Sequence, residues 1–116
     1  MNIEELRIYC LSKKGVSDSF PFNETALTFK VLNKMFLIAI IDSKPVNFSG
    51  KCNPEKAIEY RELYQSITPG YHLSKKHWNT IEMNEDISTE FAKELIDHSY
   101  DLVVAGLTKK QKLELE

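Results

Sequence analysis

The sequence predicts an α+β domain built on an antiparallel sheet, and three observations carry that expectation. A capped apolar stripe opens the chain. The helical period then disappears from Phe20 to Lys51 in favour of three β-rich runs, and a 4, 3, 4, 3 apolar spacing returns from Phe91 to Ala105. At 116 residues the chain is the length of one domain, taken as residues 1–114. Leu115-Glu116 matches a dipeptide that often joins a cloned chain to an affinity tag, and it is set aside.

The elements follow in order. Asn2 with Glu5 three residues later resembles a capping box, and Ile3, Leu6 and Cys10 form the buried stripe of a first helix with Gly15 as its C′ residue. In the first β run Leu27, Phe29 and Val31 alternate with Thr28 and Lys30. In the third, Val46 and Phe48 alternate with Asn47, Ser49 and Lys51. Turn signals at Asn33-Lys34 and Ser43-Lys44-Pro45 join the runs as hairpins, giving a sheet with one apolar and one polar face. The middle run, Met35 to Ile41, is apolar on both faces and belongs mid-sheet with its outer side partly covered. Asn53-Pro54-Glu55 supplies an N-cap, a proline at N1 and an acid in the first turn of a second helix reaching about Gln65. Thr68-Pro69-Gly70-Tyr71 reads as a type II turn, with glycine supplying the positive φ. An extended segment from Lys76 to Met83 follows. Ser88 then caps a helix carrying Phe91, Leu95, His98, Leu102 and Ala105 up to Gly106, and Lys109, Lys110 and Lys112 form a basic tail.

Composition narrows the function classes. With 42% hydrophobic and 28% charged residues the chain has the makeup of a folded domain rather than a disordered segment. Fifteen Lys plus Arg against seventeen Asp plus Glu leave a net charge of −2, so no overall positive field draws it to nucleic acid or anionic membrane, and any such contact must be local. Cys10 and Cys52 form neither a CxxC pair nor a disulfide framework, and no signal peptide is recognisable, so a reducing cytoplasm is expected. The seven apolar residues from Met35 to Ile41 fall far short of the roughly 20 needed to span a bilayer.

Catalytic constellations are sparse. His72, His77 and His98 show no HxxxH spacing, and His98 falls on the apolar stripe of the last helix, where a hydrogen-bonded core histidine is the plainer reading than a metal ligand. Cys10 lies on a buried helix face. Cys52 precedes a helix N-terminus, which can lower a thiol pKa, but it lacks a nucleophile signature and reads as an ordinary N′ residue. GxSxG, GxxxxGK[ST] and GxGxxG are all absent. A non-enzymatic protein without metal or cofactor is expected.

Charge is unevenly spread. Lys30 to Lys51 holds four lysines against Asp42, a net of +3, whereas Glu82 to Asp101 holds seven acids against Lys93, a net of −6. Lys30 and Lys51 fall among Thr28, Asn47 and Ser49 on the polar sheet face, where ammonium, hydroxyl and amide groups can donate to phosphate. The segment from Tyr71 to Asn79 combines aromatic and imidazole rings with Lys75 and Lys76 and holds no acid. As a projecting wing it could set lysines on phosphates and Asn79 or a ring against a base edge. On the residues alone the plainer reading is that Tyr71 and Trp78 are core, with the lysines keeping the turn in water.

The stretches Ile67-Thr68-Pro69-Gly70-Tyr71-His72, Lys75-Lys76-His77-Trp78-Asn79-Thr80 and Leu95 to Val103 resemble the MmcQ/YjbR family of small bacterial proteins. Phe20-Pro21-Phe22, Phe29-Lys30-Val31, Lys34-Met35-Phe36 and Lys51-Cys52 extend the resemblance, in the same order, to about Lys110. It implies a frataxin-like (CyaY-like) fold, an antiparallel sheet with helices packed on one face. It also implies DNA binding through a double-wing motif, carried here onto Lys75, Lys76, His77, Trp78 and Asn79, with Lys30 and Lys51 added from the polar face. The iron-binding acidic ridge of frataxins is not matched, because Glu4 and Glu5 share the first helix region with Arg7, Lys13 and Lys14. The expected partner is therefore DNA. The alternative is a protein or peptide adaptor using the sheet, with no nucleic-acid role.

Overall fold

The computed structural model describes all 116 residues, in the order α1 (Ile3–Leu11), β1 (Val16–Ser19), β2 (Ala26–Val31), β3 (Lys34–Ile40), β4 (Asn47–Lys51), α2 (Pro54–Leu63), β5 (Ile67–Pro69), β6 (Trp78–Glu82), α3 (Thr89–Ala105) and α4 (Lys109–Glu114). The six strands form one antiparallel sheet in the order β1-β2-β3-β4-β6-β5. Helices cover one face. There Leu27, Phe29, Val31, Leu37, Ala39, Phe48 and Ile81 join Leu6 and Cys10 of α1 and Ala92, Leu95, Ile96 and Val103 of α3 in a single core cluster. The expected α+β class and the expected side for the helices are both present.

Local chemistry explains most boundaries. Asn2 and Glu5 form the reciprocal capping box of α1. The helix stops at Ser12, so Gly15 is not its C′ residue. Gly15 instead occupies the turn into β1 with φ +72, a conformation open to glycine at no steric cost. β1 has no counterpart in the sequence reading, because Val-Ser-Asp-Ser is short and polar. It is held by pairing with β2 and by an ion pair between Arg7 and Asp18 at 2.6 Å. β2 and β3 are joined one residue earlier than expected, by Leu32 and Asn33 at φ 47 and 70, the two positive φ values of a type I′ turn.

β3 lies mid-sheet, as expected. A register shift between Phe29 and Lys30 leaves Phe36 without a partner in β2, and this irregularity lets Phe36 and Leu37, adjacent in sequence, both be fully buried. α2 ends at Leu63, two residues before Gln65, after the Asn53 side chain has accepted from the Glu55 and Lys56 backbone N–H groups. Ser88 caps α3 by accepting from the Phe91 N–H. Gly50 lets α3 close on β4, since a Cβ there would stand 2.6 Å from Ser99 Oγ. The C-terminal lysines are not a loose tail. They belong to α4, started by a capping box between Thr108 and Gln111, and Leu115 beyond it is half-buried against the core beside Gly15. No helix is long and apolar enough to cross a membrane.

His98 ties two elements together. Its Nε2 accepts a hydrogen bond from the Asn53 backbone N–H at 3.1 Å, so the ring is neutral with its proton on Nδ1. Burial holds its pKa below the ordinary value and the Lys56 charge adds to this, while Asp101 opposes. A base whose pKa is depressed by folding binds fewer protons folded than unfolded. Stability is therefore fully present above about pH 6.5 and falls as pH drops through the lowered value. Urea midpoints measured from pH 7.5 to 5 should decline for the wild type and decline less for His98→Gln.

Candidate nucleic-acid interface

The site is built on residues 70–77, which connect β5 to β6 and here form a wing. The expected type II turn at Thr68-Pro69-Gly70-Tyr71 is not formed. Thr68 and Pro69 continue β5 opposite Thr80 and Asn79, and the Gly70 N–H donates to the Trp78 carbonyl at 2.9 Å. Gly70 is needed for close approach rather than for positive φ, since a Cβ there would lie 2.7 Å from Trp78 Cβ. The reversal falls later. His72 carries φ +57, and the His77 N–H closes onto the Ser74 carbonyl at 3.2 Å. The extended segment expected from Lys76 is correspondingly shorter and begins at Trp78.

The wing folds back over the outer sheet face. The Tyr71 N–H donates to Thr80 Oγ1 at 3.1 Å, and Thr80 Oγ1 lies 2.8 Å from Ser49 Oγ in a hydroxyl pair. Ser49 and Thr80 are buried beneath the wing and Thr28 is buried on the same face, so the polar face expected from strand alternation is partly dry. Tyr71, His72 and Leu73 line a cleft of about 440 Å³ with Phe22, Asn23, Ala26, Ile38 and Ile40.

Arg61, at the C-terminal end of α2, holds the wing from the other side. Its guanidinium donates to Asn79 Oδ1 at 2.6 Å, to the Trp78 carbonyl at 3.3 Å and to the Lys75 carbonyl. Nothing in the sequence marked this residue, because a cation in the last turn of a helix reads as an ordinary complement to the helix dipole. Its planar fork reaches acceptors on successive parts of the chain, which a lysine ammonium could not do.

The seven residues expected to contact DNA divide into three groups. Lys75, Lys76 and His77 are exposed on the wing, and the two lysines border a groove of about 380 Å³ with Pro54, Glu55, Ile58 and Arg61. Lys30 and Lys51 are half-buried on the outer face, two strands apart, or about 10 Å by ladder spacing. Trp78 and Asn79 are corrections. Trp78 is only 6% exposed, packed against Gly70 with the Lys51 ammonium 6.0 Å from its ring centroid. Asn79 is 2% exposed and points to the helix face, where its amide accepts from Arg61 and donates to the Ala57 carbonyl at 3.3 Å. Adjacent strand residues face opposite ways, so the two could not have served one surface.

The cysteines and Tyr9 are shifted by their surroundings. Burial pushes the Cys10 thiol up to about 12 and raises Cys52 as well, although Arg61 and Lys56 pull the latter down. Tyr9 is pushed up to about 12, chiefly by its hydrogen bond to Asp97, which also accepts from Lys13 at 2.5 Å in a lock between α1 and α3. No three His, Cys, Asp or Glu side chains converge on a point.

Comparison with known proteins gives a consistent result. A family model described as YjbR matches residues 11–102. YbdF of Escherichia coli O157:H7 is 36% identical over 94 residues, 80% of this chain and 76% of YbdF. YjbR of Escherichia coli K12 is 29% identical over 113 residues, 97% of this chain and 95% of YjbR. The crystal structure of the Deinococcus radiodurans protein DR2400, a DUF419 domain, superposes with a TM-score of 0.91 at 38% identity, covering 98% of this chain and 87% of that one. A Pseudomonas syringae protein at 22% identity and TM-score 0.75, covering 88% of this chain and 98% of its own, shares the fold.

Proposed function

The chain belongs to the YjbR family, and from that membership together with the basic wing we propose a non-enzymatic, cytoplasmic DNA-binding protein that contacts phosphates through Lys75 and Lys76. Lys30 and Lys51 on the adjoining sheet face extend the contact. The observation that carries this reading is the anchored wing: two exposed lysines on a segment with no acid from Gly70 to Ile81, tied to α2 by Arg61. Rigid anchoring matters because lysines on a floppy loop lose more side-chain and backbone freedom on binding. A net charge of −2 offers no long-range attraction, so affinity is modest and local.

The test is an amide-shift titration with a short mixed-sequence duplex at about 50 and 200 mM salt, the range over which phosphate contacts weaken steeply. Shifts at residues 71–77 and at the sheet lysines, fading at the higher salt, are expected. Lys75→Ala with Lys76→Ala should weaken binding to every sequence and reduce the salt slope by about 2, while stability stays within about 0.5 kcal/mol of wild type. Unchanged affinity in this double variant removes the wing as the contact.

A further inference from the structure

The wing has two sides, and the DNA-binding reading uses only the basic one. On the other, the Tyr71 ring is 72% exposed and stands beside His72 with ring centroids 4.0 Å apart, while Phe22, 64% exposed, lines the same cleft. Large rings left in water beside a cleft floored by Ala26, Ile38 and Ile40 are an uncovered apolar surface of the kind that marks a binding site. The cleft holds no charged side chain, while Lys30 and Lys51 lie toward one end of the same outer face and Lys75 and Lys76 lie farther along the wing. A ligand matching this pattern has a flat aromatic part and a polyanionic backbone.

Two details sharpen the match. His72 adopts φ +57, a left-handed conformation that few side chains take up and glycine adopts most readily, and it does so while presenting its ring next to Tyr71. Glycine would relax the turn and lose the ring. At the cleft margin Asn23 spends its carbonyl oxygen on the Thr25 and Ala26 N–H groups and the Thr25 hydroxyl, leaving its amide N–H₂ free to donate to a base-edge acceptor. Paired bases inside a duplex cannot enter such a cleft, but an unstacked one can.

We propose that the cleft between Phe22 and the Tyr71–His72 ring pair takes an unpaired nucleobase, so that the protein prefers single-stranded over duplex DNA. This rests on the DNA-binding reading and adds the class of DNA to it. Stacking is sequence-tolerant, because every base has a π-face, so the preference is for strandedness rather than for a sequence.

The experiment measures binding of the full chain to a labelled 12-nucleotide single strand, its duplex, and a 12-residue abasic strand with the same phosphate charge, at about 50 mM salt. The single strand should bind at least about fivefold tighter than either of the others. Phe22→Ala and Tyr71→Ala, both at exposed positions, should each lose about fivefold or more on the single strand while keeping the wild-type salt slope and melting curve. Tyr71→Phe should retain binding. Equal affinity for the single and abasic strands, or unchanged binding in both alanine variants, overturns the base cleft. If duplex binding still responds to Lys75→Ala with Lys76→Ala in that case, the phosphate-binding wing survives alone. No binding to any of the three oligonucleotides overturns both.

Discussion

Replacing Trp78 with alanine is expected to lower the unfolding free energy by about 3–5 kcal/mol, the usual cost of emptying a buried aromatic site. The indole begins β6, pairs across the sheet with Lys51 and packs where Gly70 crosses it, so its loss opens the root of the wing as well as the sheet. Urea denaturation is the measurement, with Trp78→Phe as a control that keeps most of the apolar volume and should recover more than half of the loss. DNA binding by the alanine variant would fall through unfolding, not through loss of a contact. A variant that unfolds at the wild-type midpoint would contradict the packing role.

Arg61→Ala should cost about 2–4 kcal/mol, more than an exposed cation normally contributes. The reason is what it leaves behind: Asn79 Oδ1, buried at 2% exposure, loses its charged donor, and two backbone carbonyls lose a partner with it. Arg61→Lys keeps the charge but not the fork and should recover only part of the loss. The local signature is amide exchange. Protection should fall at residues 70–79 before it falls in β2 and β3, because local opening needs only the contacts that hold the wing. Uniform loss of protection across the sheet would assign Arg61 to global stability instead, and unchanged protection would remove it as the wing's anchor.

Much of the architecture was legible because it is written in local chemistry. The caps at Asn2, Asn53 and Ser88 placed three helix starts to the residue, and the two-faced apolar run of β3 placed it mid-sheet. What escaped depended on contacts distant in sequence. β1 has no apolar alternation and exists by pairing with β2. Pro69-Gly70 has the composition of a turn, but the glycine serves a close approach to Trp78 that only the folded chain reveals. For the same reason the basic aromatic segment was recognisable as a unit while the roles within it were not. Alternation along β6 sends Trp78 and Asn79 to opposite faces, and Arg61, 18 positions before Asn79, is the residue that ties them to the helix layer.

The two rims of the sheet bear on how the molecule behaves among copies of itself. One rim is β1, four residues with Asp18 engaged by Arg7, and the other is β5, three residues ending in Pro69, which has no N–H to offer. Short, charged or proline-bearing rims make poor templates for a foreign strand, so the hydrogen-bonding ladder ends where the chain ends it. Edge-to-edge polymerisation, the common hazard of an open six-stranded sheet, is thereby suppressed. A partner segment seeking to extend the ladder finds little to grip at either rim.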